Sequence, residues 1–255
     1  MAHRGNRQQH SHLGLNVEDE PFDDSSFAKN RKRLLEHRVS RQFFEAVVRQ
    51  ARRRHLLSAQ HFTVDGTLLE AWASMKSLRP RGQTDDPGDG NGYNPSNPDV
   101  DFKGQRRSNQ TPYSPADPEA LMARKGMGKE TKMCFSGHVL MENRHGLVVD
   151  LELTQASGTS KREAALLMLK RMHQRVRHRR CTLGADKGYD TRDFIHECQE
   201  LRVIPHVARR ESLWGSSLLA KLALTPEYQV SQRKRKRVEE IFGWTKTVGA
   251  GRKLR

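Results

Sequence analysis

The segment Cys181-Thr-Leu-Gly-Ala-Asp186 is a short apolar run that ends on an aspartate. Phe62-Thr-Val-Asp65 has the same pattern much earlier in the chain. Short apolar runs of this kind are typical of buried strands, and each such strand delivers its terminal carboxylate to the edge of a sheet. The two runs therefore predict an α/β sheet that carries Asp65 and Asp186 at strand ends.

A third carboxylate follows in the late segment Arg235-Lys-Arg-Val-Glu239-Glu-Ile-Phe-Gly-Trp-Thr-Lys246. Positions i, i+4, i+7 and i+11 lie on one stripe of a helix, and here they are Arg235, Glu239, Phe242 and Lys246. Glu240 is turned about 100° away from that stripe, which favours Glu239 as the functional carboxylate. Two strand-end aspartates and one helical glutamate can hold two Mg²⁺ (or Mn²⁺) ions, which clamp the oxygens of a phosphodiester during displacement.

The charge composition predicts a polyanionic partner. The chain has 46 Lys and Arg against 30 Asp and Glu, a formal net charge of +16. Lysine and arginine that neutralise phosphates release counterions and strengthen binding to nucleic acid, although a merely basic, solvated surface is the alternative. The candidate DNA-binding residues are the basic run before the glutamate and the lysine after it: Arg233, Lys234, Arg235, Lys236, Arg237 and Lys246.

Other classes of protein are disfavoured. No apolar stretch approaches the ~20 residues that span a bilayer, and the start of the chain lacks the apolar core of a signal peptide. These features predict a cytoplasmic protein that does not bind membranes. The three cysteines are widely spaced and support neither a disulfide framework nor a zinc ribbon.

The chain divides into unequal parts. Residues 1–58 form a basic helical segment whose start we expect to be disordered, with a basic amphipathic helix from Ser40 onward. Residues 59–255 form the main domain, and residues 79–118 within it contain seven of the ten prolines. That composition predicts a flexible insertion.

Periodicity gives the order of the elements. We expect a strand ending at Asp65, a helix from Thr67, two hairpin strands over 132–142 and 147–154, and a helix from Ser160. The strand ending at Asp186 and an edge strand over 203–207 follow, and Asp190 is placed to cap the helix between them. This order predicts a mixed α/β sheet with helices packed over it.

Four segments resemble the DDE transposases of the bacterial insertion-sequence families numbered four and five. They begin at Phe62, Gly137, Leu183 and Arg235, and the resemblance covers roughly residues 22–255. It implies a ribonuclease-H-like catalytic domain in which Asp65, Asp186 and Glu239 are the catalytic, metal-binding triad. Arg235, Glu239 and Lys246 match the family's late signature, whereas its tyrosine position is Gln232.

The resemblance also implies the partners and setting. We expect a bacterial, nucleoid-associated protein that binds double-stranded DNA, as element ends and as target, and that works as a homodimer in the DNA complex. Relatives continue past the equivalent of Lys246, so we expect a C-terminally truncated enzyme with a mobile end from Arg233 and weak or absent activity. A non-catalytic DNA-binding remnant and a nuclease without strand transfer remain alternatives to an active transposase.

Overall fold

The computed structural model describes residues 30, 33–34, 36–80, 112–126, 128–175, 180–210, 215–249 and 251–254. The start of the chain and most of the insertion, residues 1–29 and 81–111, lie outside the described residues. The chain divides into two compact units, Met1–His55 and Leu56–Arg255. Among the described helices, none is long and apolar enough to cross a membrane.

The first unit contains helix α1, Val39–Arg53. Its apolar residues recur at helical spacing, but only Val48 is buried, while Phe43 and Val47 are exposed. Arg52 and Arg53 occupy its last turn, where positive charge complements the helix dipole. The predicted basic amphipathic helix is confirmed.

The second unit is built on a seven-stranded mixed sheet. The strands of the unit, including a separate two-stranded ribbon of β2 and β3, are β1 (His61–Ala71), β2 (Arg79–Pro80), β3 (Pro112–Tyr113), β4 (Leu121–Ala123), β5 (Lys132–Glu142), β6 (Val148–Gln155), β7 (Cys181–Ala185), β8 (Val203–Val207) and β9 (Lys253–Leu254). The main order is β4-β5-β1-β7-β8, with β6 also paired to β5 and β9 to β1. Antiparallel pairing joins β5 to β1 and β6, whereas β1, β7 and β8 run parallel.

Helices pack over this sheet and confirm the predicted mixed α/β architecture. They are α2 (Ser160–Arg175), α3 (Arg192–Glu200), α4 (Ala220–Ala223), α5 (Pro226–Arg235) and α6 (Val238–Thr247). The largest core cluster joins strand residues such as Val64 and Leu183 to helix residues such as Leu169 and Phe194. Each fully buried large apolar side chain contributes roughly 1.5–3 kcal/mol, so this cluster fixes α2 and α3 on the sheet.

The predicted helix from Thr67 is wrong, because β1 continues through Ala71. One edge of β1 pairs with β5 as far as Glu70, opposite Cys134. On the other edge the Glu70 amide donates to the Arg252 carbonyl (3.3 Å) beside β9. Helix propensity differs by at most about 0.7 kcal/mol per ordinary residue, which pairing on two edges overrides. Asp65 therefore lies inside a long strand and not at its end.

The single helical stripe from Arg235 to Lys246 is also wrong. Helix α5 ends at Arg235 and α6 begins at Val238. At the junction the amides of Arg237, Glu239 and Glu240 each bond to the carbonyl three residues earlier. This tighter 3₁₀ spacing changes the rotation per residue, so Arg235 and Glu239 no longer share one helix face. Five consecutive cations span the break, three in the last turn of α5 and two at the junction, and repulsion between them disfavours a continuous helix there.

The hairpin and edge-strand predictions are confirmed. Gly146 ends the β5–β6 turn with φ of 76°, and a Cβ there would lie 2.9 Å from the Arg237 guanidinium. Strand β8, which contains Pro205, pairs with β7 alone among the described strands. An edge position tolerates a residue that has no amide hydrogen to donate.

Asp190 does not cap α3. The N-cap residue is Thr191, without a side-chain cap hydrogen bond. Both oxygens of the buried Asp190 carboxylate instead accept backbone N–H groups, from Arg210 at 2.8 Å and from Ser217 at 2.9 Å. The Asp190 carboxylate therefore links Arg210 to Ser217, two residues of the segment that follows β8.

Asp190→Asn should lower the free energy of unfolding by about 1.5–3 kcal/mol, the usual contribution of a hydrogen bond to a charged group. Asparagine offers one acceptor oxygen where the carboxylate offers two, so one backbone N–H loses its partner. Urea denaturation measures the change. The control is Asp193→Asn, which removes an exposed charge from the first turn of α3. Equal losses in the two variants would contradict the tie assigned to Asp190.

Candidate active site

The sheet brings Asp65 and Asp186 together. Strands β1 and β7 run parallel, with Phe62 opposite Leu183 and Thr63 opposite Gly184. Extending that register by two residues places Asp65 opposite Asp186, which directly follows the end of β7. The two carboxylates lie close enough for the charge of Asp186 to raise the pKa of Asp65.

Asp65 is held in an environment that disfavours its charge. Burial is the main cause of its raised pKa, and the charge of Asp186 adds to it. The Gly66 N–H donates to Asp65 Oδ1 at 2.8 Å and acts in the opposite direction, as do the charges of Lys161 and Arg235. Because the net effect is a raised pKa, a nearby cation stabilises the charged form of Asp65.

Lys161 supplies such a cation at Asp186. Its Nζ, in the first turn of α2, lies 3.2 Å from Asp186 Oδ1 and 3.3 Å from Oδ2. The Gly188 N–H also donates to Oδ1 at 2.8 Å. The ammonium lies 4.9 Å from the centroid of the Tyr189 ring, within reach of a cation–π interaction. The sequence gives no signal for Lys161, because one lysine among 46 basic residues stands out only when the fold places it here.

Two buried polar side chains adjoin the pair. Among the described residues the hydroxyl of Tyr189 has no hydrogen-bond partner, and burial, followed by the charges of Asp65 and Asp186, raises its pKa. His138 has Nε2 2.9 Å from Thr154 Oγ1, and its Nδ1 has no partner in the described part of the chain. Burial and the charge of Lys161 lower its pKa to about 4. Both side chains are therefore neutral at pH 7.

Glu239 lies apart from this pair. It is exposed in the first turn of α6, beside the fully buried Val238, and its neighbour Glu240 is exposed as well. Within the described residues, no three His, Cys, Asp or Glu side chains form a group that could hold a metal ion. The structure thus assembles two of the three predicted ligands.

The basic residues of the late segment fall into two sets. Arg233, Lys234 and Lys236 are exposed. The others are half-buried and engaged: Arg235 Nε donates to Gln232 Oε1 (3.3 Å), Arg237 to the His145 carbonyl (3.4 Å), and Lys246 Nζ to Thr67 Oγ1 (2.7 Å).

The aspartate pair fits a hard cation. Carboxylate oxygens are the ligands that Mg²⁺ and Mn²⁺ prefer. Each aspartate uses Oδ1 to accept a backbone N–H, whereas Oδ2 of Asp186 accepts only from the Lys161 ammonium among the described residues. The Lys161 ammonium contacts Asp186, and its charge also acts on Asp65, so the electrostatics of this site suit a positive ion.

Residues 100–255 match the family model described as the transposase DDE domain. The match covers more than half of the chain, so the protein belongs to this family. Asp186 and Glu239 lie within the matched residues, and Asp65 precedes them. The mixed sheet flanked by helices agrees with the ribonuclease-H-like architecture predicted from the sequence.

Solved structures of one transposase are similar to this chain. A pre-cleavage Mos1 transpososome is 14% identical, with a TM-score of 0.28, over 78% of this chain and 48% of that one. A Mos1 strand transfer complex is 15% identical, with a TM-score of 0.27, over 78% and 47%. A Mos1 mariner paired-end complex with Mn is 15% identical, with a TM-score of 0.28, over 97% and 70%. The chain thus spans about half the length of the first two. A search of curated proteins found no match.

Asp65→Asn should stabilise the metal-free protein at pH 7. The pKa of folded Asp65 lies above the ordinary value of 3.8, so its charge destabilises the fold as the pH rises through that interval. Asparagine keeps the acceptor for Gly66 N–H and removes the charge. In EDTA we expect a higher Tm than wild type at pH 7 and a shrinking difference as the pH falls towards 4. A variant that is no more stable at pH 7 would contradict this electrostatic account.

Lys161→Gln should have the opposite effect on the metal-free protein. Without the ammonium, Asp65 and Asp186 repel each other, so we expect a lower Tm in EDTA. Mn²⁺ should then raise the Tm by more than in wild type, because no ammonium competes for the carboxylates. Lys170→Gln is the control, because it lies in the same helix but pairs with exposed Glu197 (3.2 Å). Identical Mn²⁺ effects in all three proteins would show that Lys161 does not compete.

Proposed function

We propose that this protein is a transposase that binds the ends of an insertion sequence, cuts DNA with divalent metal ions and joins the freed 3′ hydroxyl to target DNA. The observation that carries the proposal is the meeting of Asp65 and Asp186 across β1 and β7, in a chain that belongs to the transposase DDE domain family.

The residues take distinct roles in this proposal. Asp65 and Asp186 would hold the divalent ions, with Glu239 as the third ligand from the first turn of α6. When bound, two Mg²⁺ or Mn²⁺ ions activate the attacking oxygen and stabilise the leaving oxygen of a phosphodiester. Lys161 keeps Asp186 paired when no metal is present, and neutral Tyr189 adds no charge beside the carboxylates.

The basic residues of the late segment would bind the phosphates of double-stranded DNA. Exposed Arg233, Lys234 and Lys236 are free to reach a backbone, and the charge of Arg235 already acts on Asp65. Phosphate contacts of this kind fix the register of DNA without reading its sequence. They would therefore orient the strand at the aspartate pair.

A second candidate is a non-catalytic DNA-binding remnant. It is favoured by the placement of Glu239, which forms no metal-holding group with the two aspartates among the described residues. A remnant of this kind binds duplex DNA with a steep salt dependence but does not cleave it. A nuclease would cleave without producing joined strands.

Asp65→Asn, Asp186→Asn and Glu239→Gln should each abolish cleavage while leaving the DNA dissociation constant within about threefold, because affinity comes mainly from Lys and Arg contacts. The assay uses labelled DNA that carries the sequences flanking the coding region, with Mg²⁺ or Mn²⁺, and scores cut and joined products. Glu240→Gln is the matched control and should keep activity.

The wild-type products distinguish the candidates. Joined products support a transposase, cut products alone indicate a nuclease, and binding without cleavage indicates a remnant. If Glu240→Gln loses activity and Glu239→Gln keeps it, the neighbouring glutamate is the third ligand.

A further inference from the structure

A groove of about 570 Å³ opens beside the aspartate pair. Strands β1 and β5, the segment after β4, the start of α2 and the end of α6 contribute to its walls. Its lining includes two acids, Glu70 and Glu130, and six cations, which are Arg124, Lys125, Lys129, Lys132, Lys161 and Lys246. The groove therefore carries a large excess of positive charge.

The two acids of the groove pair with a single lysine. Lys132 Nζ lies 2.8 Å from Glu70 Oε1 and 3.6 Å from Glu130 Oε2. Exposed Arg124, Lys125 and Lys129 make no ion pair with any described residue. These three cations of the segment after β4 are therefore left without carboxylate partners in the described part of the chain.

Neighbouring cations in the groove repel one another. Lys246 donates to Thr67 Oγ1 at 2.7 Å, and its pKa is lowered by burial and by the charge of Lys125. Like charges held this close are destabilising unless an anion lies between them. The arrangement is that of an anion-binding wall.

The groove leads directly to the aspartate pair. Lys161 lines it and also contacts Asp186, and Gly66 lines it next to Asp65. A Cβ on Gly66 would lie 2.7 Å from His138 Nδ1, so any larger residue at this position would clash with the His138 ring. His138 also lines the groove but is only 2% exposed, and its Nδ1 has no hydrogen-bond partner among the described residues. An extended anion can thus pass from the carboxylates to the cations.

We propose that this groove holds the sugar–phosphate backbone of the DNA strand whose reacting phosphodiester lies at Asp65 and Asp186. The inference rests on the proposed function and adds the path of the strand. It assigns phosphate contacts to Arg124, Lys125 and Lys129, which lie outside the basic run of the late segment.

The lining indicates that the contact is independent of sequence. Among the described lining residues there is no Phe, Tyr or Trp on which a base could stack and no Asn or Gln that could read an adenine edge. Lysine side chains bind phosphate as point charges. The groove therefore suits contacts to phosphate, which do not depend on the sequence of the strand.

The test compares two triple variants that lose the same charge. The groove variant is Arg124→Gln, Lys125→Gln, Lys129→Gln. The control variant is Arg192→Gln, Lys170→Gln, Lys221→Gln, whose residues lie in α2, α3 and α4 and do not line the groove. Fluorescence anisotropy in EDTA gives the association constant for two labelled duplexes of unrelated sequence at a series of KCl concentrations.

We expect the groove variant to reduce the slope of log K against log[KCl] by about 2 to 3, since each phosphate contact contributes about 0.9. The loss should be equal for the two duplexes, and the control should change the slope by less than about 1. Equal slopes for the two triple variants would overturn the proposal. A loss confined to one duplex would overturn the backbone assignment, because phosphate contacts are common to all sequences.

A second measurement locates the strand without depending on affinity. Cys134, Cys181 and Cys198 are buried, so Lys129→Cys can be labelled selectively with a photo-crosslinker. Crosslinks should fall on one strand, within a few nucleotides of the phosphodiester that the enzyme cuts. Crosslinks spread over both strands without a preferred position would overturn the proposal.

The binding test is separable from the proposed chemistry, because it needs neither metal nor cleavage. Groove-dependent binding by a protein that never cuts DNA supports the strand path and refutes the transposase activity. Cleavage by a protein whose groove variant binds like the control refutes the strand path alone.

Discussion

The parallel pairing of β1 with β7 is the constraint on which the site depends, because it places two carboxylates side by side and burial disfavours the charge of Asp65. Such an arrangement is stable only when positive groups are brought to it. The fold supplies them from three directions: backbone N–H groups from Gly66 and Gly188, the ammonium of Lys161 from α2, and the charge of Arg235 at the end of α5. The strands and helices around the pair thus each bring a positive group to it, while the apolar core holds the two helices 160–175 and 192–200 on the sheet.

The length of β1 links this pair to the rest of the unit. Because the strand continues past Asp65 to Ala71, its second half pairs with β5, with β9 and, through Thr67, with Lys246 of α6. The same strand therefore carries Asp65 near its middle and contributes Gly66, Thr67, Leu68 and Glu70 to one wall of the basic groove. A change in the register of β1 by one residue would turn Asp65 to the opposite face of the sheet. Asp65 would then no longer lie beside Asp186 or next to the basic groove.

The sequence predicted the parts of the fold that local patterns determine. The strand before Asp186, the β5–β6 hairpin, α2 and the edge position of Pro205 follow from apolar periodicity and turn residues. The prediction of a helix from Thr67 failed because Leu68, Leu69 and Glu70 have high helix propensity. Their pairing with β5 makes them part of a strand instead. The pairing of Asp65 with Asp186 was predictable, whereas the contact of Asp186 with Lys161 was not, because it depends on how α2 lies on the sheet.

The position of Glu239 follows from the break after Arg235. Three i→i−3 hydrogen bonds at the junction, and the contact of Arg237 with the β5–β6 turn, set where α6 starts. Val238 at the start of α6 is fully buried, and Lys246 near its end donates to Thr67 Oγ1, so the helix is held at both ends. This packing leaves Glu239 exposed beside Val238. Because α6 begins at Val238, the run proposed to bind phosphate, residues 233–237, leads directly into the helical turn that carries Glu239.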